Sequence, residues 1–205
     1  MSLKNISRLY SLTYGYLGYK KISRNEEIDK LIESSIDEVI KLSQFSYIYQ
    51  EFDYKLDFLL NNKAYIKLLD GCNSYYLVLT TLGKKIDDRC RYYSKADLTK
   101  MVVFDAVSSA YLEYMADEYE KTNFPLDRTY RFGCGYQGTS VSDINIIFKY
   151  LDHYKLGVSI NEANLMTPLK TMCGIIGIGK VKKSECGNCN IKEKCELKKE
   201  GKRCY

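Results

Sequence analysis

The sequence predicts an α+β fold rather than a βαβ parallel sheet. Apolar residues recur at helical spacing through most of the chain, strand-like runs are scattered and mostly late, and helices and strands do not alternate regularly. At 205 residues the chain is one domain, or one domain with a small appendage, and is long enough to bury a full core without staples.

The first strong helix is predicted to begin near Ser23, where Glu26 completes a capping box. Ile28, Leu31, Ile32, Ile36, Val39 and Ile40 then follow on one face. Around 54–69 the runs Leu56–Leu60 and Tyr65–Leu69, broken by Asn61-Asn62, read as strand-like segments that Asp70-Gly71 stops. A second helix is expected from Asn73 or Ser74, carrying Tyr76-Leu77-Val78-Leu79 towards Gly83. A third is expected to be capped by Ser94, with Asp97 in its first turn, and to run through Leu98, Met101, Val102, Ala106, Ser109, Leu112 and Met115, with Pro125 beyond it. The fourth starts near Ser140 or Ser142, presents Ile144, Ile147, Phe148 and Leu151, and ends at Gly157. After that the period falls towards two. Val158–Ile160 and Cys173–Ile178 read as strands, the latter with glycines where a backbone or ligand comes close.

Hydrophobic residues make up 45% and charged residues 28%, too apolar for disorder. No apolar run reaches the length of a membrane span, and Met1-Ser2-Leu3-Lys4 lacks the features of a signal peptide, so a cytoplasmic location is expected. Residues 1–179 carry 22 bases and 22 acids, whereas 180–205 carry nine Lys/Arg against four Glu. A neutral body with a basic tail does not form a broad groove for nucleic acid. The 20 tyrosines are accordingly read as core and sheet residues before base-stacking ones.

The most informative segment of the body is Arg131-Phe132-Gly133-Cys134-Gly135-Tyr136-Gln137-Gly138. Its glycines let a loop take positive φ and let a ligand lie against bare backbone. Arg131 offers a planar fork for a carboxylate, and Tyr136 an aromatic face with a polar tip. An arginine, a yielding loop and an aromatic suit a small zwitterion. The same composition also suits a plain turn between helices.

Arg131 to Tyr136 has the form Arg-x-x-x-Gly-Tyr, followed by Gly157–Glu162, Met166-Thr167-Pro168-Leu169-Lys170 and Cys173–Gly177. With Tyr16-Leu17-Gly18-Tyr19-Lys20 and Leu69-Asp70-Gly71-Cys72 leading to Thr80-Thr81-Leu82-Gly83 upstream, the succession resembles the activation (reactivation) domain of vitamin-B12-dependent methionine synthase, especially its free-standing bacterial form. The resemblance spans roughly 15–180. It implies helices packed around a mainly antiparallel sheet, and an S-adenosylmethionine site at the loop. There Arg131 takes the ligand carboxylate, Gly135 allows close backbone approach and Tyr136 contacts the ligand. It further implies a role in methionine biosynthesis: supporting reductive remethylation of cobalamin held by a partner methionine synthase or another corrinoid protein, with a flavodoxin-like or ferredoxin-like electron donor. Such a subunit acts as a methyltransferase component only with its partner. The chain departs from the common Arg-x-Ser-Pro-Gly-Tyr-Gly-Asp form at Gly133-Cys134 and Gln137-Gly138, which removes an acidic acceptor from the loop.

The second constellation is the tail, read as residues 181–205 beyond a body of 1–180. Cys186 and Cys189 form a Cys-x-x-Cys pair, with Cys195 and Cys204 following. In a reducing compartment four such thiolates suit zinc or an iron–sulfur cluster, and the lysines around them favour the deprotonated ligands. The bland alternative is an unligated tail. An iron–sulfur or zinc protein of electron-transfer or sensor type is therefore the competing functional reading. His153 is read as a solvated or helix-end histidine, Asp87-Asp88-Arg89 as a charged helix surface, and Cys72, Cys90 and Cys173 as small buried residues.

Overall fold

The computed structural model describes residues 3–19 and 25–179. Helices α1 (Leu3–Tyr16) and α2 (Glu26–Leu42) come first, followed by strand β1 (Ser46–Phe52), short helices α3 (Asp57–Leu60) and α4 (Lys63–Leu68), and strand β2 (Ser74–Thr81). Helices α5 (Lys84–Ala96), α6 (Leu98–Asn123) and α7 (Asp143–Tyr150) follow, then a 3-10 turn at His153–Leu156. Strands β3 (Ser159–Ile160), β4 (Met166–Thr167) and β5 (Thr171–Ile178) close the described chain.

The main sheet has the order β1-β2-β5 and is antiparallel throughout, with Val78 opposite Tyr49 on one side and Gly174 on the other. Because side chains alternate along a strand, Tyr75, Leu77 and Leu79 enter one core. There they meet Leu59, Tyr65, Leu68, Phe132, Ile147 and Ile175. Tyr76 and Val78 face the other way, onto Phe124 and Ile176. The helices form a separate core in which α1, α2 and α5 pack around α6 through Leu9, Ile32, Val39, Ile86, Phe104 and Val107. Layers of helices on an antiparallel sheet make this the expected α+β class.

Several local expectations are corrected. The segment 74–81 is a strand, not a helix: β2 is buried on both faces, so its apolar run is continuous and carries no period. The runs at 56–60 and 65–69 are short helices, and Asn62, read as a break, is the cap of α4, accepting from the Ala64 N–H at 2.9 Å. The cap of α2 is Asn25, which accepts from Glu27 and Ile28; Ser23 lies outside the described residues. The expected third helix is two. Ser94 lies inside α5, and Asp97 caps α6 by accepting from Lys100 N–H at 2.9 Å. Helix α1 and strand β1 went unread. The fourth helix stops at Tyr150, and Gly157 instead ends the 3-10 turn in a left-handed conformation. His153 is half-buried, its Nδ1 bonded to Val158 O at 2.7 Å. Asp87 turns inward, only 9% exposed, and accepts from Leu169 N–H at 2.7 Å.

Candidate functional site

The loop after α6 returns to the sheet edge at Phe132, which exchanges both backbone bonds with Ile175 at 2.9 Å. This close approach explains Gly174, where a Cβ would stand 2.6 Å from Phe132 O. Beyond it the chain turns sharply. Gly135 has φ +88°, and a Cβ there would meet Val141 Cγ2 at 2.8 Å, so both backbone and space require glycine. Thr139 stitches the turn, its Oγ1 accepting from Gly135 N–H at 3.0 Å and donating to Tyr136 O at 2.8 Å. The turn leaves Tyr136 69% exposed. Asn62, at the start of α4, holds the far end by donating to Gly138 O at 3.1 Å.

Arg131 does not project freely. Its guanidinium is nearly buried between two carboxylates of α6, with Nη1 donating to Glu120 and Nη2 donating to Asp117 Oδ1 at 3.1 Å. Burial opposes its charge, yet Glu120 and Asp117 together hold its pKa above the ordinary arginine value. Burial raises the Glu120 pKa, and the guanidinium pulls the other way. The Glu120 carboxylate also receives the Tyr47 hydroxyl at 2.8 Å.

Glu113, Asp117 and Glu120 recur at helical spacing, so α6 turns one acidic row towards the loop. Arg8 of α1 donates to Asp117, and Tyr16 at the end of α1 donates to Glu113. Tyr16 lies near enough to Tyr136 and Arg131 to feel both electrostatically. Burial and Glu113 raise the Tyr16 pKa, keeping it a neutral donor. The Leu-Gly-Tyr landmark thus ends α1 beside the loop, with Gly18 at φ +81° reversing the chain. Among the described residues two guanidiniums stand against three carboxylates, and Glu113 takes its hydrogen bond from a phenol. A negative balance beside an exposed aromatic favours a ligand carrying positive charge.

The acidic row and Tyr16 were missed from sequence. Their signal was the spacing Glu113, Asp117, Glu120, obscured because α6 is buried around most of its circumference. The downstream landmark is structural. Lys170 Nζ reaches Asp105 at 2.7 Å and Ser109 at 2.8 Å, and Lys170 O accepts from Leu82 N–H at 3.0 Å, which ties β5 to the helices. Cys186, Cys189, Cys195 and Cys204 lie outside the described residues. No group of three or more His, Cys, Asp or Glu with metal-site geometry occurs among the described residues, and none of the described helices is long and apolar enough to cross a membrane.

No family model matches the chain, and no curated protein matches it. Among solved structures it is similar to the crystal structure of the MetH reactivation domain bound to AdoHcy, at 11% identity and a TM-score of 0.64. The alignment covers 100% of this chain and 85% of that one. The chain has the fold of that reactivation domain.

Proposed function

We propose that the protein binds S-adenosylmethionine between the 131–136 loop and the acidic row of α6, and serves as a reactivation subunit for a cobalamin-dependent methyltransferase. The observation that carries this reading is the ring of charge around Arg131 on a fold shared with a domain solved bound to AdoHcy. S-adenosylmethionine carries an ammonium, a sulfonium and one carboxylate. Arg131 keeps N–H donors beyond those given to Glu120 and Asp117, and these take the ligand carboxylate. Glu113 takes the cationic side, Gly135 admits the ligand against bare backbone, and Tyr136 covers it. The missing loop acid is replaced in charge by the carboxylates of α6.

In the proposed reaction the methyl group passes to cobalamin held by a methionine synthase or another corrinoid protein. S-adenosylhomocysteine is left behind, and a flavodoxin-like or ferredoxin-like donor supplies one electron to cobalt in its oxidised, inactive state. This chain supplies the ligand site and the orientation. The test is to add the full chain to a cobalamin-loaded methionine synthase lacking its own reactivation domain, with methyl-labelled S-adenosylmethionine and reduced flavodoxin. Label on cobalamin supports the reading. Its absence, with ligand bound, would restrict the protein to ligand binding.

We also propose that residues 1–180 fold without 181–205, since the described residues already close a core under the sheet and another around α6. A chain ending at Lys180 should keep its circular dichroism and unfolding midpoint; precipitation would contradict this. The spacing of Cys186, Cys189, Cys195 and Cys204 supports a separate tail centre of zinc or an iron–sulfur cluster. Elemental analysis of anaerobically prepared protein should find zinc, or iron with sulfide, lost in the Cys186→Ser, Cys189→Ser double variant. Metal-free protein would overturn it.

A further inference from the structure

Two cysteines meet where the loop crosses the sheet edge. Phe132 and Ile175 exchange both backbone bonds in an antiparallel bridge, and two residues further along the two segments stand Cys134 and Cys173. Both side chains sit in one core beneath the loop, 9% and 7% exposed, near enough that each thiol shifts the pKa of the other. Opposed antiparallel residues such as Phe132 and Ile175 have Cα atoms about 4.5–5.5 Å apart, and a disulfide spans about 4.4–6.8 Å, so a bridge at this point brings the following residues within reach of one another. Cys72 and Cys90 have other neighbours: Cys72 Sγ faces Leu68 O at 3.9 Å, and Cys90 Sγ faces Asp105 at 4.0 Å.

We propose that Cys134 and Cys173 are a reversible dithiol–disulfide couple that sets the position of the 131–136 loop. The affinity consequence rests on the S-adenosylmethionine reading above; the couple itself does not. The two thiols are unequal. The neighbouring Cys173 lowers the Cys134 pKa against the effect of burial, and the Tyr65 hydroxyl stands 3.5 Å from Cys134 Sγ. The nearness of Cys134 and burial push the Cys173 pKa well up. Cys134 is therefore the first nucleophile. Its thiolate attacks one sulfur of a small-molecule disulfide such as oxidised glutathione, releasing one thiolate and leaving a mixed disulfide. Cys173 then gives up its proton, attacks the Cys134 sulfur and releases the second thiolate. Two protein thiols lose two electrons and two protons, and one small disulfide becomes two thiols.

The bond would bring the two sulfurs to about 2.05 Å from one another. That draws Cys134 towards β5, while the Tyr65 hydroxyl beside it, donating to Asp143 at 2.8 Å, keeps its place. Gly135 and Tyr136 follow directly in the chain. A loop displaced by about an ångström loses its fit to a bound ligand, so the oxidised protein should bind about tenfold more weakly.

The experiment treats the full chain anaerobically with oxidised glutathione, alkylates the remaining thiols and maps peptides by mass spectrometry. The expected product is a cross-linked pair of peptides carrying Cys134 and Cys173, absent from Cys173→Ser and from Cys134→Ser. Alkylation of both cysteines in the oxidised wild type, or cross-links formed only elsewhere, would overturn the couple. Affinity for S-adenosylhomocysteine is measured on the same samples. It should fall about tenfold on oxidation, recover with dithiothreitol, and not respond to oxidant in Cys134→Ser, which lacks the first nucleophile. Equal affinity in both redox states would overturn the loop-positioning claim. A cross-link in protein that binds no ligand in either state would leave the couple standing and remove the ligand reading.

Discussion

The helical core and the loop-side core solve different problems with the same chain. Around α6 the core is built on aliphatic and aromatic residues, with Leu9, Ile32, Val39, Ile86, Phe104 and Val107 closing on one another, and the buried hydroxyls of Thr13, Ser35 and Ser108 are returned to helix carbonyls four residues back. On the far side of the sheet, Tyr65, Cys134 and Cys173 share the interior with Phe132 and Ile175, and the Tyr65 hydroxyl is held by the half-buried Asp143. The first core is a frame that tolerates no change of volume. The second is a seat whose loop is held by directional bonds. Arg131 joins them, reaching from the loop to carboxylates on the helix at the centre of the frame.

Substitutions should separate the two regions, beginning with the frame. Phe104 is fully buried among α2, α5 and α6, and Phe104→Ala should cost about 3–5 kcal/mol in urea unfolding while the folded fraction binds ligand normally. An equal loss of affinity would show that the frame and the site are not separable. Arg131→Ala should break both regions at once. It leaves Glu120 and Asp117 without their guanidinium, and losing one partner of a buried pair costs about 3–5 kcal/mol. Ligand affinity should fall with it. Arg131→Lys restores the charge without the planar fork, so stability should recover further than affinity.

Gly135→Ala tests the loop alone. With φ +88° and Val141 Cγ2 at 2.8 Å from the new Cβ, the substitution should cost about 1–3 kcal/mol. Adding Val141→Ala should relieve the contact but not the backbone strain. The smallest effect belongs to Asp87, whose Oδ1 has no partner. Burial raises its pKa, and the backbone N–H groups of Leu169 and Lys170 offset part of the rise. A raised native pKa means that the native state holds the proton more tightly than the unfolded chain. Stability from this group is therefore complete below the unfolded carboxylate pKa and is lost as pH rises through the native one. Asp87→Asn keeps an acceptor for Leu169 without the charge. It should flatten that decline between acid and neutral pH; an unchanged slope would place the titration on another group.

How legible these regions were follows from their physics. Amphipathic α2 showed its buried stripe directly, and β5 announced its close approaches through Gly174 and Gly177. Strand β2 hid as a helix because burial on both faces erases alternation, and Asn62 hid as a break because a cap and a turn use the same residue. At the site, the sequence marked Arg131, Gly135 and Tyr136 because glycines and an arginine are conspicuous in a loop. It concealed Tyr16, Glu113 and Asp117, which lie more than a dozen residues from the loop and meet it only once α1 packs on α6. The nearness of Cys134 to Cys173 depends likewise on the Phe132–Ile175 bridge, which folding alone sets.

The central claim is that the loop and the acidic row of α6 form one site for a positively charged S-adenosyl ligand. Calorimetric titration of the reduced full chain with S-adenosylmethionine and then with S-adenosylhomocysteine tests it most directly. Both should bind with one-to-one stoichiometry. The sulfonium ligand should bind more tightly, and that advantage should shrink in Glu113→Gln, where the negative balance is removed. No heat and no thermal shift with either ligand at millimolar concentration would contradict the account.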